Sequence, residues 1–200
     1  MHKVTSVLDA GDIAVQLPIP IHPFETAMSV SHKVAQQAPM LIEQFIQSLQ
    51  QGSVIWTPQS SAPSWQARRV SEQDLMIDWQ RDVSVQVVNM ARAGNPIHGG
   101  ALFRCKQDTY SLLQASALSK DEHINGVRPG TITQVSESKG LIVQSKDAAV
   151  AFEAINTAIG VLSGYRFSVL FGITSGMQLE SMPRDIQQQV TPNQPVRQGD

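Results

Sequence analysis

The apolar positions of this 200-residue chain change rhythm along its length. Lys3 to Leu8 and Ile13 to Leu17 alternate as strands do. Between them, Asp9-Ala10-Gly11-Asp12 supplies residues that tolerate the dihedrals of a tight turn, so the segment reads as a β-hairpin. A hairpin standing alone leaves a strand edge exposed, a route to pairing with a second copy or a partner chain. Pro18, Pro20 and Pro23 then hold the chain extended. Beyond them Val30, Val34, Leu41, Ile42, Phe45, Ile46 and Leu49 recur at intervals of three and four, which predicts a helix capped by Thr26 or Ser29 and ended by Gly52. Pro39 lacks an amide hydrogen, so a kink or break is expected near Gln36 to Ala38.

From Ser53 to Arg69 the chain turns polar. Ser60-Ser61-Ala62-Pro63-Ser64 reads as a linker, with Trp56 and Trp65 placed to cover apolar surface along the way. Ser71 and Asp74 make a capping-like start, followed by Asp78-Trp79 and a helix from Val83 to Ala93 that buries Val83, Val87, Val88 and Met90. Asn95-Pro96 and Gly99-Gly100 mark a turn. Strand-like runs follow at Ala101 to Cys105, Thr109 to Ala117, Gly130 to Val135, Leu141 to Gln144 and Ala148 to Ile155. Five short strands with an interrupting segment predict a small Greek-key barrel of the oligonucleotide/oligosaccharide-binding kind. The expected class is therefore α+β, divided into residues 1–56, a linker at 57–70, a barrel at 71–183 and a polar, disordered tail at 184–200.

Composition narrows the partners. The chain is 42% apolar and 16% charged, as globular proteins are, with a formal net charge of −2. From residue 65 onward 13 Lys and Arg face 13 Asp and Glu. A polyanion such as tRNA, which binds clustered cations through counterion release, finds no electrostatic footprint there. No run of eighteen apolar residues predicts a membrane span and no signal peptide is visible. The single cysteine, Cys105, excludes an internal disulfide and suits a reducing cytoplasm. It reads as a small core residue of a strand, since no nearby His or helix start would lower its pKa. His32 has no partner at helical spacing, and no metal site is expected.

Several segments carry a resemblance. Leu8-Asp9-Ala10-Gly11-Asp12 is similar to the Asp-(Ala/Thr)-Gly turn of the folate-dependent formyltransferases, the family of methionyl-tRNA and amino-sugar formyltransferases. The likeness continues through Pro18-Ile19-Pro20-Ile21, Glu25-Thr26-Ala27 with Ser31-His32-Lys33, Arg68-Arg69 with Asp74 and Asp78-Trp79, Arg92-Ala93-Gly94-Asn95-Pro96, and Pro129-Gly130-Thr131-Ile132, all in the family's order. It implies that residues 1–56 are a remnant of the catalytic domain and residues 71–183 the C-terminal domain. It also implies a role for Asp9 as the catalytic aspartate, with formyl-tetrahydrofolate as cosubstrate and no firmly bound cofactor. The family's Asn-x-His motif and Ser-Leu-Leu-Pro loop occur nowhere in these 200 residues; Asn95-Pro96-Ile97-His98 and His123-Ile124-Asn125 have the wrong spacing.

Formyl transfer to an amine needs a base for the ammonium proton, a donor toward the tetrahedral oxyanion, and an aspartate that holds the histidine in its working tautomer. Only the aspartate is encoded here. The expected function is therefore a formyltransferase-family protein inactive alone or dependent on a partner, with a non-catalytic binding or oligomerisation module as the alternative. Read without the resemblance, Asp9 and Asp12 merely shape a turn. Arg92 reads as a residue paired to a helix end or a neighbouring acid, Trp79 as a core anchor, and His98 as a turn histidine bonded to backbone.

Overall fold

A computed structural model describes residues 1–59, 69–119 and 126–184. The expected Ser60–Ser64 linker, Trp65, Arg68, His123 and the tail beyond Arg184 lie outside the described residues. The chain divides into two compact units. One comprises residues 1–23, 29–69 and 187–200, the other residues 24–28 and 70–186.

In the first unit the predicted hairpin does not form. Residues 3–8 carry no strand; a single bridge joins His2 to Ile13, and Ile13 turns its other bonds to Thr57, donating and accepting at 2.8 Å. Val4 and Leu8 stand 97% and 92% exposed. Two strands without a third, or a helix to cover them, are marginal in water. The free strand edge expected as a route to pairing is therefore not built.

Helix α1 (Ala27–Gln50) matches the predicted period but runs without a break through Pro39. One lost backbone bond in a 24-residue helix leaves the turns on either side intact. Its C-terminus closes as expected at Gly52, with φ +63°. Gly52 N–H donates to Leu49 O at 3.1 Å and Ser53 N–H to Ser48 O at 2.9 Å, the paired bonds of a Schellman ending.

The second unit holds a mixture of helices and antiparallel strands. A 3₁₀ turn (Glu72–Leu75) begins at Ser71, whose N–H and hydroxyl both reach Asp74 Oδ2, at 2.7 and 2.8 Å. Helix α2 (Ser84–Gly94) follows, then β1 (Ala101–Cys105), β2 (Asp108–Ala117), β3 (Ile132–Ser136), β4 (Gly140–Gln144), β5 (Ala149–Thr157), β6 (Gly160–Leu162) and α3 (Gly164–Phe171). The sheet order is β1-β2-β5-β4-β3, with β6 paired to β5. The sheet is not closed as the predicted barrel would be. The last described segment reaches the two ends of this path through single bridges, Arg104 to Glu180 and Thr131 to Gln178, and Met76 makes a further, parallel bridge to Leu102 of β1. Two residues with isolated bridges, Gln178 and Glu180, and Leu179 between them make a strap and not a strand.

The core sits between the sheet and the helices. Val87 and Ala91 of α2, Phe103 and Leu112 of β1 and β2, Phe152 and Ile155 of β5, and Phe167 of α3 are all buried. Phe103 meets Phe152 edge-on at 5.1 Å and Phe167 at 5.9 Å, while Trp79 stacks on Phe152 at 6.2 Å. Such pairs add about 0.5–1.5 kcal/mol beyond the area they bury.

Candidate active site

The loop that carries Asp9 is shaped by close backbone approach. A Cβ on Gly11 would lie 2.0 Å from Lys3 O, so only glycine lets the returning strand of chain pass. Lys3 N–H donates to Asp12 O at 2.9 Å across the same crossing. Asp9 adopts φ +55°, a conformation that Asp tolerates better than most residues. Gln59 Nε2 donates to both Asp9 O and Gly11 O at 2.7 Å and pins the turn from the far end of the unit.

Around this turn stand complementary charges. Lys3 Nζ bonds Asp12 Oδ2 at 3.0 Å and lies 4.5 Å over the ring of Trp56, which in turn meets Phe45 of α1 edge-on at 6.1 Å. Asp9 points its carboxylate outward, 93% exposed, with His2 Nε2 3.6 Å from Oδ1. The other ring nitrogen of His2 lies 2.9 Å from Lys3 O. If Nδ1 carries the proton it donates to that carbonyl, and Nε2 is left facing the aspartate. Sequence reasoning missed His2 because the pairing comes from the fold-back of a loop and not from strand register; it missed Gln59 because that residue is 48–50 positions away.

The structure gives the remaining candidates structural work. Trp79 is fully buried, as expected. Cys105 is buried in β1, and burial pushes its thiol pKa up, away from nucleophile chemistry. Arg92 Nε bonds Asn89 Oδ1 at 2.8 Å and Nη1 bonds Glu25 O at 3.3 Å. The His98 amide donates to Gly94 O at 2.7 Å, while its exposed side chain helps line a cavity of about 310 Å³ with Ser71, Glu72, Leu75 and Leu102. A second cavity, of about 370 Å³, is lined by Leu17, Pro18, Ile19, Pro20, Lys33 and Gln37. Asp9 lines neither, so no folate contact is derived from these residues. No cluster of three His, Cys, Asp or Glu that could hold a metal occurs among the described residues. Nor, among them, is any helix long and apolar enough to cross a membrane.

The motif residues of the second unit converge on its closing corner. Gly130 has φ +89°, and a Cβ there would sit 2.5 Å from Gln178 Nε2 and 2.9 Å from Leu179 O. Leu179 N–H donates to Gly130 O at 2.8 Å, Gln178 Nε2 to Pro129 O at 2.7 Å, and the Thr131 hydroxyl to Gln178 Oε1 at 2.8 Å. Pro-Gly-Thr is thus the buckle of the strap. Beside it, Asp78 accepts from the Ser181 hydroxyl at 2.6 Å, and Asp82 is ion-paired to Arg184 and accepts from Asp78 N–H at 2.8 Å. Burial raises the Asp82 pKa, against the lowering effects of the Asp78 amide and the Arg184 guanidinium.

A known family matches most of this unit's sheet. Residues 69–160 fit the family model described as formyl transferase, C-terminal domain. The second unit contains a formyltransferase C-terminal domain. Among solved structures, HypX from Aquifex aeolicus in complex with tetrahydrofolic acid aligns at TM-score 0.57 and 17% identity, over 85% of this chain and 29% of HypX. One HypX variant aligns at TM-score 0.58 and 16% identity over 85% and 29% of the two chains. Another, carrying A392F and I419F, aligns at 0.55 and 17% over 92% and 32%. The likeness is one of fold, and the chain spans about 30% of the length of HypX. Alignment over 85% of the chain reaches beyond the formyltransferase C-terminal domain itself.

Proposed function

We propose that this chain is the aspartate-bearing part of a formyl-transfer enzyme, moving a formyl group from formyl-tetrahydrofolate to an amine, and that the histidine, asparagine and folate pocket lie outside these 200 residues. The observation that carries the reading is the Asp9 turn. A left-handed Asp, a glycine that the crossing backbone demands, and a glutamine holding both carbonyls present one carboxylate to solvent in a fixed place. A carboxylate so held can fix the tautomer of a histidine brought to it and stabilise its protonated form. Tetrahydrofolate appears in the HypX structure, which supports the same donor chemistry here. The strand order and the strap at 178–180 support an OB-like domain, whose fold alone names no ligand. The unpaired Cys105 supports a reducing cytoplasmic setting.

The test is turnover. The full chain is mixed with formyl-tetrahydrofolate, a set of amine acceptors and its native co-purifying proteins. Folate turnover that falls by 100-fold or more in Asp9→Asn supports the reading; no turnover in any combination removes it. The second reading is a non-catalytic binding module. It is favoured by how fully the motif residues of the second unit are engaged in scaffolding, and it predicts partner binding unchanged by Asp9→Asn.

A further inference from the structure

Asp9 holds φ +55°, a conformation that costs any residue with a side chain and persists where the surroundings enforce it. The restraint comes from residues 56–59, and each of the four has a part. Ile13 and Thr57 donate to each other's carbonyls at 2.8 Å, the closed pair of an antiparallel contact. Two residues back from Ile13 and two on from Thr57, that register sets Gln59 opposite Gly11, within reach of the turn. Pro58 fixes its own φ and disfavours helical backbone at Thr57, so the step from Thr57 to Gln59 is stiff. Trp56 moors the near end, edge-on to Phe45 of α1 at 6.1 Å and beneath Lys3 Nζ at 4.5 Å.

The Gln59 side chain spends both of its amide hydrogens on this turn. Nε2 gives one to Asp9 O and the other to Gly11 O, each at 2.7 Å. These carbonyls belong to the peptide planes that follow Asp9 and Gly11. With its own peptide plane held, Asp9 keeps only its side-chain torsions free. Asp9 and Gln59 are both exposed, so water is at hand for the Asp9 carbonyl and the fold does not need residue 59 to satisfy it. Ordering a long exposed side chain costs conformational entropy. What that side chain supplies in return is direction, at the one turn whose carboxylate has a chemical role by resemblance.

We propose that Gln59 is a positioning residue for formyl transfer: through the clip of residues 56–59 it holds the Asp9 turn so that the carboxylate meets an incoming histidine in one orientation. The proposal rests on the reading of Asp9 given above and adds to it the residue through which that carboxylate is aimed.

Two readouts on the full chain separate this proposal from the reading it rests on. The first is nuclear magnetic resonance of Gln59→Glu, whose ionised carboxylate accepts hydrogen bonds and cannot donate them. Backbone order parameters at Asp9, Ala10 and Gly11 are expected to fall from about 0.85 to below about 0.6, while the Ile13 and Thr57 amides stay protected from exchange. The second is folate turnover with the co-purifying proteins. There the same variant is expected to lose about 10- to 100-fold in kcat, the cost of a misplaced group, with KM for formyl-tetrahydrofolate unchanged. A double variant, Asp9→Asn with Gln59→Glu, is then no slower than Asp9→Asn alone, because Gln59 acts through Asp9. Should Gln59→Glu release Ile13 and Thr57 as well, Gln59→Met removes both donors without adding charge and is read in the same way; release in that variant too makes Gln59 scaffold and overturns the proposal. No turnover by the unmutated chain defeats the formyl-transfer reading and leaves the order parameters to decide whether Gln59 aims the turn. Order parameters that do not fall, a kcat equal to that of the unmutated chain, or losses that multiply in the double variant overturn it.

Discussion

The two units of this chain use their backbones in opposite ways. In the second, several recognisable motif residues are spent inside: Trp79 on Phe152, Asp78 on Ser181, Gly130 beneath the strap of residues 178–180. In the first, α1 buries nothing and the one residue with a chemical role by resemblance stands in water at a turn. Conformity to a motif therefore means different things in the two regions. Where a motif is buried it records what the fold needs; where it is exposed and its geometry is still constrained, it records what the fold presents.

The sharpest way to break this contrast is to strike the buried side. Trp79 is fully buried against Phe152 and beside Gly130, so Trp79→Ala leaves a cavity at the junction of sheet and strap. The expected cost is about 3–5 kcal/mol, read as a shift of the urea midpoint by far-ultraviolet dichroism. A loss under about 1 kcal/mol would mean that the corner collapses onto the gap and that Trp79 is no anchor.

Much of this was legible beforehand, and the misses have physical causes. Strands β1 to β5 were readable because alternating burial and turn residues are local signals; β6, three residues long, is too short to show a period. The helix end at Gly52 was readable because a left-handed C-terminus asks for glycine. The absent hairpin was misread because strand pattern cannot say whether a neighbour exists to pair with. How far the sheet closes was not legible, because its ends approach each other through isolated bridges, a tertiary event with no sequence period. The Asp9 position was legible through its motif, while His2 and Gln59, which the fold brings to it, were not.

A smaller effect sharpens the comparison within the second unit. Asp147 caps α2 from 63 residues away, accepting from Ser84 N–H at 2.6 Å and from the Ser145 hydroxyl at 3.1 Å. Burial by itself would raise its pKa, but the hydrogen bonds from Ser84 and Ser145 outweigh it and the net shift is downward. A carboxylate whose pKa is lower folded than unfolded stabilises above its unfolded value of 3.8 and loses that stabilisation as pH falls toward the folded value. Asp147→Ala is thus expected to cost about 1 kcal/mol at pH 7, with the gap to the unmutated protein shrinking below about pH 4. Parallel denaturation curves at pH 7 and pH 3 check both halves; an equal deficit at each pH would show that the cap does not depend on ionisation.

The smallest expected effect on stability falls on the residue with the largest expected role. Asp9 lends the turn its backbone, held by Gln59 through carbonyl oxygens, while its side chain makes only the 3.6 Å approach to His2. Asp9→Asn keeps the backbone geometry and the tolerance for a left-handed φ, and even a charged pair this exposed would contribute about 0–1 kcal/mol at most. Its denaturation midpoint should therefore coincide with that of the unmutated chain to within about 0.5 kcal/mol. A clear destabilisation would instead make the carboxylate part of the scaffold, and the division between a unit that is packed and a unit that presents would fail at the residue on which it was drawn.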